Sequence, residues 1–276
     1  MADVGRVACT YFTDPYCPWS WAAEPHLRRL HVEFGAEVAV TFVIAGLARE
    51  ITDPGALALA SLDAADASAM PVDPRVFLRD PPTSTHPAGL GLAAVAEQGD
   101  PGPYLRRLRE AILLEGRRMD TGSALLDAAR ETGGLDLDRL RIDFGSNAIV
   151  ERFGADLERA RSVAPEHHEP GTGRVRTPSV EFRGSADDVH GVYGYAPYEA
   201  WRAAAAAAGA TAAGDGSPAV EDALRRFGRI ATPEVAAACD LQGPRAGAEL
   251  WRLALEWRVQ PRRVLGGELW SLAGAY

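Results

Sequence analysis

The sequence contains no lysine, so all 29 of its positively charged side chains are arginine. Its 38 acidic residues outnumber them, and the formal net charge at pH 7 is −9. Proteins that bind nucleic acids usually present a basic surface, so this balance argues against DNA or RNA as the main partner. With 47% hydrophobic and 24% charged residues, the composition is otherwise that of a globular protein with a sizeable core.

Long apolar runs are also missing. No stretch approaches the ~18 consecutive apolar residues that a membrane-spanning helix needs. The first residues lack the basic start and apolar segment of a secretory signal peptide. We therefore expect a cytoplasmic protein with no membrane partner. His167 and His168 are adjacent, but no second pair of ligands stands at metal-binding spacing, so we expect no metal site.

Cysteine is scarce. The three cysteines, Cys9, Cys17 and Cys239, are odd in number and far apart, which excludes a disulfide framework. Any cysteine that is used for chemistry should therefore be a free thiol. We expect Cys9, within a strand, and Cys239, within a helix, to be structural.

The hydrophobic pattern predicts an α/β fold. A short β-rich run ends near residue 12, apolar residues then follow helical spacing over 18–34, and a nearly continuous apolar strand covers 37–44. A strand, a helix and a strand in this order favour a right-handed parallel crossover. A long helical tract punctuated by prolines follows, and β character returns at "TPSVEF", residues 177–182.

The last part of the chain has a different pattern. Residues 208–218 are small and polar and predict a linker. Three helical patterns and a β-hairpin around Gly266-Gly267 then predict a small winged helix-turn-helix domain over 217–276. Eight arginines against seven acidic residues in this segment are weak support for a phosphate-binding surface. We therefore favour an interaction or dimerisation role over DNA binding.

The stretch "DPYCPWSW" places Cys17 where the first strand passes into a helix, with Pro18 at the favoured first helical position. Unpaired N–H groups and the positive end of the helix dipole favour an anion there. Cysteines at helix starts have pKa values of roughly 3.5–7.5, against about 8.5 for a free thiol. We therefore expect an ionised Cys17 that is open to solvent. Asp14 could cap this helix or orient water near the thiol.

This combination resembles the DsbA family of thioredoxin-fold proteins, and in particular its cytoplasmic, FrnE-type members. The likeness rests on "DPYCPWSW" after the first strand, a helical insertion and a Thr-Pro pair before a later strand, and it covers residues 6–209. It implies a thioredoxin-fold domain made of residues 1–50 and 170–212. Residues 51–169 would form a large α-helical insertion.

The resemblance also assigns roles. Cys17 matches the attacking cysteine, Ser20 matches the second cysteine, and Thr177-Pro178 matches a cis-proline turn that positions the substrate. Arg176 could hold a thiolate or a carboxylate, and the loop that carries His86 could line the cleft or simply lie on the surface. The residues expected around a substrate are therefore Asp14, Trp19, His86, Arg176, Thr177 and Pro178.

Ser20 is the departure from the family pattern. A site with two cysteines resolves a mixed disulfide by internal attack, which Cys17 alone cannot do. The sequence therefore predicts a monothiol oxidoreductase or isomerase that needs an external thiol such as glutathione or mycothiol, with no tightly bound cofactor. Its substrate would be a small thiol or disulfide, or a protein thiol.

Two alternatives stay open. The protein could be an isomerase or transferase of small molecules that depends on a thiol cofactor, as in related enzymes of this fold that replace the attacking cysteine by serine. It could also be a redox-sensing adaptor or regulator without catalysis, since an extra C-terminal domain accompanies the loss of the second cysteine. The sequence leaves a homodimer open as well.

Overall fold

A four-stranded mixed sheet forms the centre of the thioredoxin-like part. Its order is β2-β1-β3-β4, with β1 parallel to β2, and with β3 antiparallel to both β1 and β4. The strands are β1 (Val7–Thr13), β2 (Val38–Ile44), β3 (Ser179–Arg183) and β4 (Val189–Tyr193). The predicted α/β class is confirmed. The structure is a computed structural model that describes residues 7–186, 188–214 and 216–274.

The first crossover contains two helices rather than the single helix predicted over 18–34. Helix α1 (Pro18–Ala22) ends at Ala23, and α2 (Glu24–Phe34) follows at once. Pro25 causes the break, because proline has no backbone N–H to donate to the carbonyl of Trp21 four residues earlier. Helix α1 is therefore a separate short helix that begins directly after Cys17.

Strand β2 lies at the edge of the sheet and is only partly covered, so the prediction that it is covered on both faces is wrong. Ala39 and Thr41 are exposed, whereas Val38, Val43 and Ile44 are buried. The exposed positions of the strand carry alanine and threonine instead of charged residues. The alternation of buried and exposed side chains is therefore not visible in the sequence, which looks almost continuously apolar.

Seven helices lie between β2 and β3 and form the predicted helical insertion. They are α3 (Pro54–Ser68), α4 (Val76–Arg79), α5 (His86–Ala96), α6 (Gly102–Leu113), α7 (Gly122–Thr132), α8 (Leu137–Asp143) and α9 (Asn147–Arg161). Their common core includes Leu108 and Ile112 of α6, and it extends to Tyr16 and Trp21 on either side of Cys17. The loop that carries the cysteine is therefore anchored in the insertion. Among the described residues, no helix has the length and apolar character to cross a membrane.

Three helices and a small sheet follow α10 (Tyr198–Ala207). The elements are α11 (Val220–Phe227), β5 (Ile230–Ala231), α12 (Thr232–Cys239), α13 (Arg245–Leu255), β6 (Val259–Val264) and β7 (Gly267–Leu272), with sheet order β5-β7-β6. We call residues 217–274 the C-terminal unit. The unit has its own core around Trp270, and its helix α12 packs against α2. The turn of its hairpin, at Gly266, lies against Pro71.

A buried network of charges joins this unit to the rest of the molecule. Glu234 of α12 is fully buried and accepts hydrogen bonds from Arg28 of α2 at 2.9 Å and from Arg106 of α6 at 2.8 Å. Both arginines also pair with Glu24 of α2. Burial raises the pKa of Glu24, but the arginines around it outweigh this effect and hold that pKa well below its usual range. Three separate parts of the chain therefore share one charge cluster.

Candidate active site

Cys17 is itself the N-cap residue of α1. Its backbone is extended, with φ −78° and ψ 111°, Pro18 follows at the start of the helix, and its sulfur accepts the backbone N–H of Ser20 at 3.3 Å. The fixed φ of proline suits the first turn, and the side chain before it takes up one of the unpaired N–H groups. The sulfur thus receives the kind of hydrogen bond that stabilises a negative charge.

A second donor reaches the sulfur from the turn before β3. The hydroxyl of Thr177 lies 3.1 Å from the sulfur of Cys17, and the carbonyl oxygen of Thr177 lies 3.5 Å from it. The peptide between Thr177 and Pro178 is cis. As a thiolate, Cys17 accepts from Ser20 and Thr177, and as a thiol it can donate to the Thr177 carbonyl. The site therefore accommodates both protonation states of the sulfur.

The sulfur is covered, so the expectation of an open thiol is wrong. Only 2% of the Cys17 surface is exposed, and Thr177 in front of it is 9% exposed. Polar groups from Thr177 and Ser20, rather than a wall of apolar side chains alone, surround the sulfur. A reaction partner can reach it only when the covering turn or a neighbouring side chain gives way.

Asp14 lies beneath the loop and does not cap α1. It is fully buried and accepts hydrogen bonds from the backbone of Tyr16 at 2.9 Å, from the backbone of Leu47 at 2.8 Å, and from the hydroxyl of Thr85 at 3.3 Å. Burial raises its pKa, although these hydrogen bonds and nearby Arg174 oppose the shift. Asp14 therefore fixes the loop and does not face a substrate. Thr85 was not predicted, because nothing in the sequence around it distinguishes it.

Ser20 is the residue that the resemblance aligns with a second cysteine. It is fully buried, and its hydroxyl has no hydrogen-bond partner among the residues that the structure describes. Its backbone N–H, by contrast, binds the sulfur of Cys17. The residue therefore contributes to the site through its backbone, and its side chain fills the place where a resolving thiol would stand.

An aromatic surface borders the start of α1. Trp19 is half-buried and its ring lies 5.3 Å from the ring of Tyr195, and the ring of His26 stacks on Tyr195 at 5.6 Å. Burial lowers the pKa of His26 to about 4, so its ring is neutral at neutral pH. Trp21 is instead fully buried and donates to the carbonyl of Pro71 at 2.8 Å. Tyr195 was not predicted, since it follows β4 without a motif.

Two predicted site residues point elsewhere. The guanidinium of Arg176 donates to the carbonyls of Glu166 at 2.8 Å and His167 at 3.4 Å, so it stabilises that loop and does not hold the thiolate. The ring of His86 packs edge-on against Phe153 at 5.2 Å. Burial lowers the pKa of His86, and nearby arginines add to this effect. His86 is the first residue of α5 rather than part of a loop, and its ring packs against α9 and not against the sulfur.

The other two cysteines lie in buried positions. Cys9 is 1% exposed, and burial raises its pKa far above the usual range. Cys239 is 7% exposed, and burial followed by the charge of Asp222 raises its pKa to about 11. Neither should react at neutral pH. Within the described ranges, no group of three or more histidine, cysteine or acidic side chains could hold a metal ion.

Replacing Thr177 by valine should slow the alkylation of Cys17. Valine keeps the shape that covers the sulfur but removes the hydroxyl that donates to it at 3.1 Å. A hydrogen bond to a charged group contributes about 1.5–3 kcal/mol, so we expect the rate with iodoacetamide at pH 7 to fall about tenfold or more. Mass spectrometry over time measures this rate. Thr177→Ser is the control and should react like the wild type; equal rates for valine and threonine would contradict the prediction.

Comparison with known proteins identifies the family and the fold. A family model described as thioredoxin matches residues 11–168, which is more than half of the chain. The ClpXP adapter protein SpxH of Halalkalibacterium halodurans is 26% identical over 277 aligned positions, which cover 94% of this chain and 86% of that protein.

Solved structures show the same fold at low identity. One, from Nitrosomonas europaea and assigned as a protein disulfide isomerase, has a TM-score of 0.62 at 18% identity and covers 73% of this chain and 97% of its own. Another, from Streptomyces coelicolor and assigned as a DsbA oxidoreductase, has a TM-score of 0.55 at 18% identity and covers 78% and 93%. The chain therefore belongs to the thioredoxin family and shares the fold of the DsbA-type oxidoreductases.

Proposed function

We propose that this protein carries out thiol–disulfide exchange through the single cysteine Cys17, in the cytoplasm, and that a low-molecular-weight thiol completes each cycle. The observation that supports this most is the pair of hydrogen bonds that the sulfur accepts, from the backbone of Ser20 and the hydroxyl of Thr177. A thiolate, the nucleophilic form of cysteine, would accept both of these hydrogen bonds.

The reaction has two balanced steps. The Cys17 thiolate attacks one sulfur of a disulfide R–S–S–R′, so that the mixed disulfide between Cys17 and R forms and R′ leaves as a thiolate. A second, external thiolate then attacks the R sulfur of the mixed disulfide. This step returns Cys17 to its thiolate and releases a new disulfide of R with the external thiol. Glutathione or mycothiol belongs to the class of thiol that would serve.

Incubation with oxidised glutathione should leave one glutathione on each chain, on Cys17. Ser20 cannot expel it, so the adduct should persist until excess thiol is added. Intact-protein mass spectrometry followed by peptide mapping measures both stages. Cys17→Ala should take no adduct, whereas Cys9→Ala should behave like the wild type because Cys9 is buried and its pKa is raised. An adduct on Cys9 or Cys239 with Cys17 unmodified would contradict the proposal.

We also propose a second function, as an adapter that binds a protein partner. The reason is the extent of the similarity: the SpxH adapter matches 94% of the chain, whereas the two oxidoreductase-type structures cover 73% and 78% of it. The match to the adapter therefore extends into the C-terminal unit. The variant Cys17→Ala distinguishes the two functions. It should still deliver a protein to a ClpXP protease, but it should lose thiol exchange.

A further inference from the structure

We propose that the cavity between α2, α6 and the C-terminal unit is a binding site for a phosphate group. The cavity has a volume of about 730 Å³. Its walls come from all three parts of the chain that share the buried charge cluster, and it is distinct from the surroundings of Cys17. We call it the arginine cavity, because six arginines line it: Arg28, Arg106, Arg107, Arg109, Arg226 and Arg229.

The charge of the arginine cavity has the opposite sign to that of the whole protein. Four carboxylates face its six arginines, which leaves an excess of two positive charges in a chain whose net charge is −9. Glu234 and Glu115 lie behind the wall and pair with Arg28, Arg106 and Arg107, and counting both balances the charges of the whole cluster. The excess of two positive charges therefore belongs to the lining of the cavity, which is the surface that an anion would contact.

Two buried N–H groups on this wall lack an acceptor. Arg109 is fully buried; one terminal nitrogen binds Glu24, the other binds Thr13, and its Nε has no partner among the described residues. The Nε of Arg229 is also buried without a described partner, while its terminal nitrogen binds Glu110. Buried donors without an acceptor are rare in folded proteins. A ligand that only accepts hydrogen bonds would supply the kind of partner that these donors lack.

Phosphate is the anion that these features match best. Its several acceptor oxygens suit donors that come from different elements, here α6 and the loop that follows α11. Guanidinium groups recognise phosphate through planar pairs of N–H groups, and they stay charged at every physiological pH. The Nε of Arg107 also lacks a hydrogen bond among the described residues, but it lies 3.0 Å from an oxygen of Glu131 and forms an ion pair with it. The same chemistry fits a free phosphate ion or the phosphate of a small ester.

Calorimetric titration of the full chain in a phosphate-free buffer tests the proposal. Inorganic phosphate and AMP are titrated separately, with chloride at the same ionic strength as the reference. Tighter binding of AMP would identify a phosphate ester as the ligand, and tighter binding of inorganic phosphate would identify the free ion; either supports the proposal. Binding of both no stronger than that of chloride would overturn it.

Arg229→Gln should weaken the binding of phosphate at least tenfold, because it removes one charge and one of the two free donors. Arg225→Gln is the matched control: Arg225 pairs with Asp222, its side chain is 63% exposed, and it does not line the cavity. This control should bind like the wild type. Equal affinity of Arg229→Gln and the wild type would also overturn the proposal.

If Arg229→Gln does not fold, Glu131→Gln provides a second test of phosphate binding. Glu131 lines the cavity and is paired with Arg107 and Arg117, so its neutralisation raises the excess of positive charge and frees the Nε of Arg107. We expect phosphate to bind several-fold more tightly. Glu256→Gln, an exposed acidic residue away from the cavity, should leave the affinity unchanged, and a Glu131→Gln variant without tighter binding would count against the site. Cys17→Ala should bind phosphate like the wild type. The outcome of this test therefore does not depend on whether Cys17 carries out thiol exchange.

Discussion

Replacing Ser20 by cysteine is expected to shorten the lifetime of a mixed disulfide on Cys17 by about a hundredfold or more. The backbone nitrogen of residue 20 lies 3.3 Å from the sulfur of Cys17, so a thiol at this position would be held next to the bond that it must attack. Reactions between groups held in this way reach effective concentrations far above those of any thiol in solution. The new cysteine would form a disulfide with Cys17 and expel the bound thiol.

The release of 5-thio-2-nitrobenzoate measures this change directly. Reaction of its disulfide with the wild type should free one coloured thiolate per chain and leave a second one bound to Cys17. In Ser20→Cys both should be freed. Ser20→Ala is the matched control, because it removes the unpaired hydroxyl without adding a sulfur, and it should behave like the wild type. If Ser20→Cys freed only one thiolate, residue 20 could not be the place of a resolving thiol.

Replacing Glu234 by glutamine should lower the free energy of unfolding by about 3–5 kcal/mol, the usual effect of removing one member of a buried ion pair. The carboxylate is fully buried and accepts from Arg28 and Arg106, and also from the backbone N–H of Ala231 at 2.7 Å. Glutamine offers one oxygen to these donors and no charge. Arg28 would then keep only its pair with Glu24, and Arg106 would keep its pairs with Glu24 and Glu110.

Urea unfolding followed by tryptophan fluorescence measures the loss. The matched control is Glu256→Gln, since Glu256 pairs with Arg252 on the surface and has a side chain that is 44% exposed. Exposed pairs contribute little, so its effect should stay within about 0.5 kcal/mol. A Glu234→Gln variant as stable as this control would show that the network does not hold the C-terminal unit in place.

Local signals predicted much of the reactive loop. Pro18 after Cys17 indicated a helix start, and the structure places Cys17 at its N-cap. The break at Ala23 was also readable, because Pro25 cannot continue the helix that α1 begins. The helical spacing of apolar residues continues through this break, which explains why periodicity alone suggested one helix.

The covering of the sulfur and the buried charges left no local trace. Thr177, which covers Cys17, is 160 residues away in the chain. Glu234 stands 128 residues from Arg106, in a stretch that looks like an ordinary helix start. Spacing along the sequence cannot reveal contacts of this range. The same holds for Tyr195 against Trp19, since only the folded sheet brings these two rings together.

The shared charge cluster connects the C-terminal unit to the short helix that follows Cys17. Arg106 donates a hydrogen bond to Glu234 of the C-terminal unit, and its guanidinium also lies 4.4 Å from the centre of the Trp21 ring. Trp21 follows Cys17 by one helical turn. A partner that bound the C-terminal unit and displaced Glu234 would also displace Arg106 from Trp21. Binding at one end of the chain would in this way change the surroundings of the thiol at the other.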